Sequence, residues 1–132
     1  MRGVSSLQKE WLGHQREGDI AVFVVWSDQL GAEPRHLPDA AALMPDPRAR
    51  HYWDGREVVG GAYRTLELEG KTVNVGQPAW DTWLLFDRKA TWTDSGPPKP
   101  AWWEHQLRGL PPERRLDPER FAAKARSLHN VR

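Results

Sequence analysis

The 132-residue chain contains no cysteine. That absence excludes disulfide staples, thiolate metal sites and thiol catalysis by the chain itself. It leaves the compartment open, because many proteins on both sides of the cell membrane lack disulfides. An excess of charge of one sign is also missing. The 19 basic and 18 acidic residues leave a net charge of +1, so no global field draws the chain to nucleic acid or to an anionic membrane. No apolar run approaches the length of a membrane span. Lys9, Glu10, Arg16 and Glu17 interrupt the first 18 residues, so no secretory leader is expected and a cytoplasmic location is the default. There is no Walker loop, no Gly-x-Gly-x-x-Gly turn and no Gly-x-Ser-x-Gly elbow. The five histidines, at 14, 36, 51, 105 and 129, form no His-x-x-x-His pair. No cofactor, no metal and no catalytic residue is therefore assigned.

What the chain does have is eight tryptophans, at 11, 26, 53, 80, 83, 92, 102 and 103, and 11 prolines. Spread tryptophans serve packing, since each buries a large area, or they form an aromatic platform for a ligand. No basic patch accompanies them, which favours packing over a nucleic-acid surface.

Val4, Leu7, Trp11 and Leu12 recur at i, i+3, i+7 and i+8, which predicts an amphipathic helix over 3–16, ended by Gly18-Asp19. Ile20 to Trp26 is a continuous β-branched and aromatic run, the pattern of a parallel strand covered on both faces. Pro38-Asp39 opens a short helix to Met44, stopped by Pro45 and Pro47. His51-Tyr-Trp53 is expected as a short edge strand closed by the Asp54-Gly55 turn. Val58, Val59, Ala62, Tyr63 and Leu66 predict a second helix, weakened by Gly60-Gly61. Residues 68–77 are expected as a loop. Thr82–Phe86 and Ala90–Trp92 are expected as a hairpin around the polar Asp87-Arg88-Lys89 turn. Residues 94–100 form a Pro-rich surface linker, and Ala101–Leu107 a short helix or turn. Asp117 as N-cap, Pro118 at the first position, and Leu116 with Phe121 at staple spacing mark a last helix.

Helix, parallel strand, helix, Pro-led hairpin and final helix together resemble the later part of the thioredoxin fold. Val24-Val-Trp26, Asp46-Pro-Arg48 with His51-Tyr-Trp-Asp54, Pro78-Ala-Trp-Asp81 and Trp92 look like a group of uncharacterised bacterial thioredoxin-like proteins, relatives of peroxiredoxins and membrane-anchored thiol oxidoreductases. The likeness covers about residues 3–130. It implies one α/β domain over 1–132, a thioredoxin-like mixed sheet flanked by helices and shortened at its N-terminus. In that group a cysteine-bearing turn follows a first strand and precedes the first helix, where the helix N-terminus lowers the thiol pKa. Here that position falls at or before Met1. The chain is therefore expected to be redox-inactive as it stands, either truncated or degenerate. The resemblance also makes Pro78 the equivalent of a substrate-facing proline, often cis.

Three functional readings follow. The first is a redox-silent thioredoxin-like domain. The second is a non-enzymatic protein- or ligand-binding module using a rim of Pro78, Ala79, Trp80, Asp81, Trp26 and Asp28, Asp28 being better suited to a helix or turn cap. The third is a metal or acid–base site at His51, Asp54 and Asp81, near Trp53, against which stands a purely local role in strand packing and turn caps. The expected partner is another protein, or a second copy of the chain joined through an unpaired strand edge. Neither nucleic acid nor membrane is expected.

Overall fold

The structure, a computed structural model, describes residues 2–14 and 20–130. It is mixed α/β, and the chain divides into two compact units, Met1–Val59 and Gly60–Arg132.

In the first unit, α1 (Arg2–Leu7) continues into a π-helical turn, Gln8–Leu12. Val4, Leu7, Trp11 and Leu12 are all buried, as their spacing predicts. The helix is shorter than expected. Gly13 N–H reaches back five residues to Gln8 O at 2.8 Å, the widened turn on which the helical segment closes. Gln15, Arg16 and the Gly18-Asp19 turn lie outside the described residues.

β1 (Val22–Trp26) pairs in parallel with β2 (Ala49–Trp53), from Val22 opposite Ala49 to Trp26 opposite Trp53. The expected strand at 51–53 is thus real and longer at its start. The expected burial of β1 on both faces is corrected: Val24 is buried, whereas Phe23 and Val25 are exposed. An all-apolar run reads alike whether one face is covered or two. Among the described residues β2 is its only ladder partner, and the face carrying Phe23 and Val25 is exposed.

Asp46-Pro47-Arg48, the most specific part of the resemblance, is a clamp. Arg48 grips the Asp46 carboxylate through Nε at 2.8 Å and Nη2 at 2.7 Å, and its backbone N–H donates to the same group at 2.9 Å. Nη2 also donates to Leu12 O at 2.8 Å, tying the approach to β2 to the end of the first helical segment. The Arg48 hydrogen bonds hold the Asp46 carboxyl below its ordinary range and raise the Arg48 guanidinium. α2 is Leu37–Ala41, earlier and shorter than the expected 39–44. Pro38 sits in its first turn, and Met44 lies beyond its end and is buried.

α3 (Val58–Ala62) is also shorter than its apolar spacing predicts. The chain instead forms β3 (Thr65–Leu68) and β4 (Lys71–Asn74), an antiparallel pair where a loop was expected. The two residues between them, Glu69 and Gly70, have φ of 51° and 76°. Two consecutive positive φ values are what a type I′ turn requires, and they set the hairpin twist.

β5 (Thr82–Leu85) is where it was expected, but its partner is not. It pairs with β6 (Trp102–His105) rather than with Ala90–Trp92. The expected helix or turn at 101–107 is therefore a strand. The intervening stretch folds back onto Tyr63, which meets Phe86 and Trp92 rings at 5.9 and 6.0 Å and donates its hydroxyl to Pro98 O at 3.1 Å. Burial raises the Tyr63 pKa. α4 (Pro118–Asn130) begins as its sequence predicts, with Asp117 Oδ1 accepting from Arg120 N–H at 3.0 Å. Tyr63, Leu66, Val75, Leu85, Trp103, Phe121 and Ala122 are among the buried apolar residues of this unit.

Among the described residues no helix is long and apolar enough to cross a membrane.

Candidate functional site

Apart from Asp28, the side chains singled out in the first unit are committed to local structure. Trp26 Nε1 donates to His51 Nδ1 at 3.1 Å, with the rings stacked at 6.2 Å, and His51 Nε2 meets Met44 O at 3.1 Å. An indole only donates and a carbonyl only accepts, so His51 is the Nε2–H tautomer with both nitrogens engaged. The Asp54 carboxylate accepts from Val58 N–H and Val59 N–H, both at 2.8 Å, and so satisfies amides at the start of α3. Trp53 lies against Gly55, where a Cβ would stand 2.6 Å from its Nε1. Asp28 is exposed and precedes a single 3₁₀ turn without bonding to it. Among the described residues no three His, Asp or Glu side chains gather to hold a metal ion.

In the second unit, Pro78, Ala79, Trp80 and Asp81 link β4 to β5. The Gln77–Pro78 bond is cis, and Pro78 is buried. Ala79 N–H donates to Gly60 O at 2.9 Å, and a Cβ on Gly60 would fall 2.6 Å from Pro78 Cβ. Gly60 is thus a close-approach glycine that seats the turn. Gly76 has φ 144°, and a Cβ there would lie 2.6 Å from Pro78 O. Asp81 takes φ 46°, a left-handed conformation that Asp tolerates better than most residues.

This turn forms one wall of an open groove of about 550 Å³. Trp80 and Asp81 line it from one side, Asn74 from the end of β4, and Gln106 and Arg108 from the segment leaving β6. Gln106 N–H donates to Asp81 O at 2.9 Å, which joins two walls through the end of the β5–β6 ladder. Val75, Leu107 and Leu110 supply apolar lining. Asn74 Oδ1 is used internally, accepting from Gly76 N–H at 3.1 Å. Among the described residues, no hydrogen bond or ion pair engages the side chains of Trp80, Asp81, Gln106 or Arg108. The groove therefore holds an indole, an amide and one charge of each sign, none bound to another protein group.

Elsewhere in the unit the buried side chains of Glu104 and His105 are spent, whereas Trp83 Nε1 is buried without a hydrogen-bond partner among the described residues. Glu104, fully buried, accepts from Trp102 Nε1 at 2.9 Å, Arg120 Nε at 2.7 Å and Asp117 N–H at 2.8 Å. His105, equally buried, lies 2.8 Å from Pro111 O through Nε2 and accepts from Leu107 N–H at 3.1 Å through Nδ1. Arg114 stands 3.6 Å and Lys124 4.4 Å from the Trp102 ring centroid, and burial lowers the Arg114 pKa.

Of the sequence-derived rim, Trp80 and Asp81 line the groove, and Pro78 and Ala79 support it from behind. Trp26 and Asp28 belong to the first unit. Asn74, Gln106 and Arg108 were not anticipated, because they come from the end of β4 and the segment after β6 and no local motif marks them. Comparison with known protein families, with curated proteins and with solved structures finds no match to this chain.

Proposed function

We propose that this chain is a cysteine-free, thioredoxin-like binding module that holds a short peptide segment of a protein partner, without covalent chemistry, at the Pro78–Asp81 rim. The thioredoxin-like reading rests on the resemblance carried by Asp46-Pro-Arg48, His51-Tyr-Trp-Asp54 and Pro78-Ala-Trp-Asp81. The binding reading rests on one contrast. His51, Asp54, Glu104 and His105 spend their polar atoms inside the protein, whereas Trp80, Asp81, Gln106 and Arg108 share one groove and spend none there. Aromatic surface beside a few convergent polar groups is the composition of a ligand site. An open groove with an amide, apolar walls and both charge signs matches a peptide, which presents the same groups. With no thiol in the chain, thiol–disulfide exchange has no nucleophile here.

The test is an NMR titration of the ¹⁵N-labelled full chain with pools of short peptides. Signals of Trp80, Asp81, Gln106 and Arg108 are expected to move together, and Trp80→Ala or Asp81→Asn to abolish the response. Binding that survives both substitutions, or turnover in an insulin-reduction assay, overturns the reading.

A second reading is self-association through an unpaired strand edge. It is favoured by β1, whose only ladder partner among the described residues is β2.

A further inference from the structure

The outer edge of β1 has a definite hydrogen-bonding pattern. Val22 N–H donates to Arg48 O at 3.1 Å and Asp54 N–H donates to Trp26 O at 2.7 Å, at the two ends of the β1–β2 ladder. In a parallel ladder alternate residues face the partner strand. Val22, Val24 and Trp26 thus turn their peptide groups toward β2, and Phe23 and Val25 turn theirs outward. Among the described residues nothing receives those outward groups.

The edge also lacks the sequence safeguards of charge and proline. Natural edge strands carry a charge, a proline or a bulge that discourages pairing. Val22-Phe-Val-Val-Trp26 has none of these, and Phe23, Val25 and Tyr52 on the neighbouring strand are 62%, 39% and 47% exposed. Phe23 and Tyr52 stack at 6.3 Å on that open face. A two-stranded parallel sheet with apolar side chains in water is an unfinished sheet.

The side-chain order of β1 fits its own reverse. When two copies run antiparallel about a twofold axis at Val24, Phe23 falls opposite Val25 of the second copy, and Val22 opposite Trp26. Both are aromatic–β-branched pairs, which favour cross-strand association. The same register places the outward peptide groups of Phe23 and Val25 opposite each other as mutual hydrogen-bonded pairs, with Val24 facing Val24 between them. No charge meets a like charge, because the strand has none. An isologous contact of this kind closes on itself as a dimer.

We infer that the chain self-associates through antiparallel pairing of β1 with β1 of a second copy, giving a four-stranded sheet ordered β2-β1-β1-β2. This rests on the strand-edge reading above and is independent of peptide binding at the groove.

The experiment is sedimentation velocity of the full chain over a concentration series, with the Phe23→Lys/Val25→Lys variant run beside the wild type. Both substituted side chains are exposed, so the β1–β2 ladder stays intact, and far-UV circular dichroism checks this. The wild type is expected to move from 15.2 kDa toward twice that mass as concentration rises, and the variant to remain at 15.2 kDa. A second variant, Val25→Pro, removes an outward N–H without breaking a β1–β2 hydrogen bond and, with the fold checked by circular dichroism, is also expected to stay monomeric. Wild type that remains monomeric throughout overturns both the inference and the strand-edge reading. A dimer equally stable in the wild type and both variants overturns the β1 assignment alone.

Discussion

The indole nitrogen of Trp26 and Nδ1 of His51 are 3.1 Å apart, and each satisfies the other. The bond joins β1 to β2 across the parallel ladder and removes both residues from any pool of free ligands. Trp26→Phe keeps an aromatic ring, though a smaller one than the indole, and leaves Nδ1 without its donor. An unsatisfied polar group that is only partly buried costs about 1 kcal/mol, so the urea midpoint should fall while peptide binding at the groove stays unchanged. Weaker groove binding at unchanged stability would instead make Trp26 a rim residue.

A larger loss is expected at Glu104. Its carboxylate is fully enclosed and bonds to Arg120, Trp102 and the Asp117 amide. Glu104→Gln removes the charge that offsets Arg120 and turns one acceptor into a donor facing donors. Stranding a buried charge costs about 3–5 kcal/mol, which applies in full to Arg120→Leu, and Glu104→Gln should cost less because the Arg120 side chain is 35% exposed. Equilibrium unfolding of Glu104→Gln, Arg120→Leu and the double variant checks this, with the double variant expected to lose less than the two single losses combined. Strict additivity would show that the two side chains do not interact.

These two cases show what was legible. α4 could be read because Asp117 and Pro118 mark a helix start chemically, whatever surrounds them. β1 could be read because a β-branched run has few alternatives. β6 could not: Glu104 and His105 look like solvent residues until their bonding partners are known, and those lie at 102, 117, 120, 107 and 111. The β3–β4 hairpin was hidden by Val58, Val59, Ala62, Tyr63 and Leu66, whose spacing fits one helix although only the first three lie in it. Leu66 belongs to β3. The groove was half visible. Trp80 and Asp81 stand in the segment that carries the resemblance, whereas Gln106 and Arg108 reach the same place only through the β5–β6 pairing.

The Asp46–Arg48 clamp gives the first unit an acid-sensitive element. Hydrogen bonding from Arg48 sets the folded carboxyl pKa below the ordinary 3.8. The folded state then binds fewer protons than the unfolded state as acid is added, so stability falls with falling pH. The contribution is complete above the unfolded pKa and is lost as pH drops through the folded one. The pair is only part-buried, so Asp46→Asn should lower stability at neutral pH by about 1.5–3 kcal/mol, the scale of hydrogen bonds to a charged group. It should also flatten the acid limb of the stability–pH curve. An acid limb of unchanged slope would show that other carboxylates carry the pH dependence.

Adjacent glycines in α3 should respond in opposite directions. A Cβ at Gly60 would lie 2.6 Å from Pro78 Cβ and 3.0 Å from Ala79 O, while one at Gly61 meets nothing within 4 Å. Gly61→Ala therefore removes only unfolded-chain freedom and should stabilise by about 0.4–1 kcal/mol. Gly60→Ala gains the same term but must push the Pro78–Ala79 turn away, an overpacking cost of about 1–3 kcal/mol. Because that turn carries Trp80 and Asp81 into the groove, Gly60→Ala should shift their NMR signals and weaken peptide binding, and Gly61→Ala should do neither. Thermal melts of the two variants give the first comparison and the peptide titration the second. Equal effects from both would mean that the turn is not seated on Gly60, and that the wall of the groove is held by the Gln106–Asp81 hydrogen bond alone.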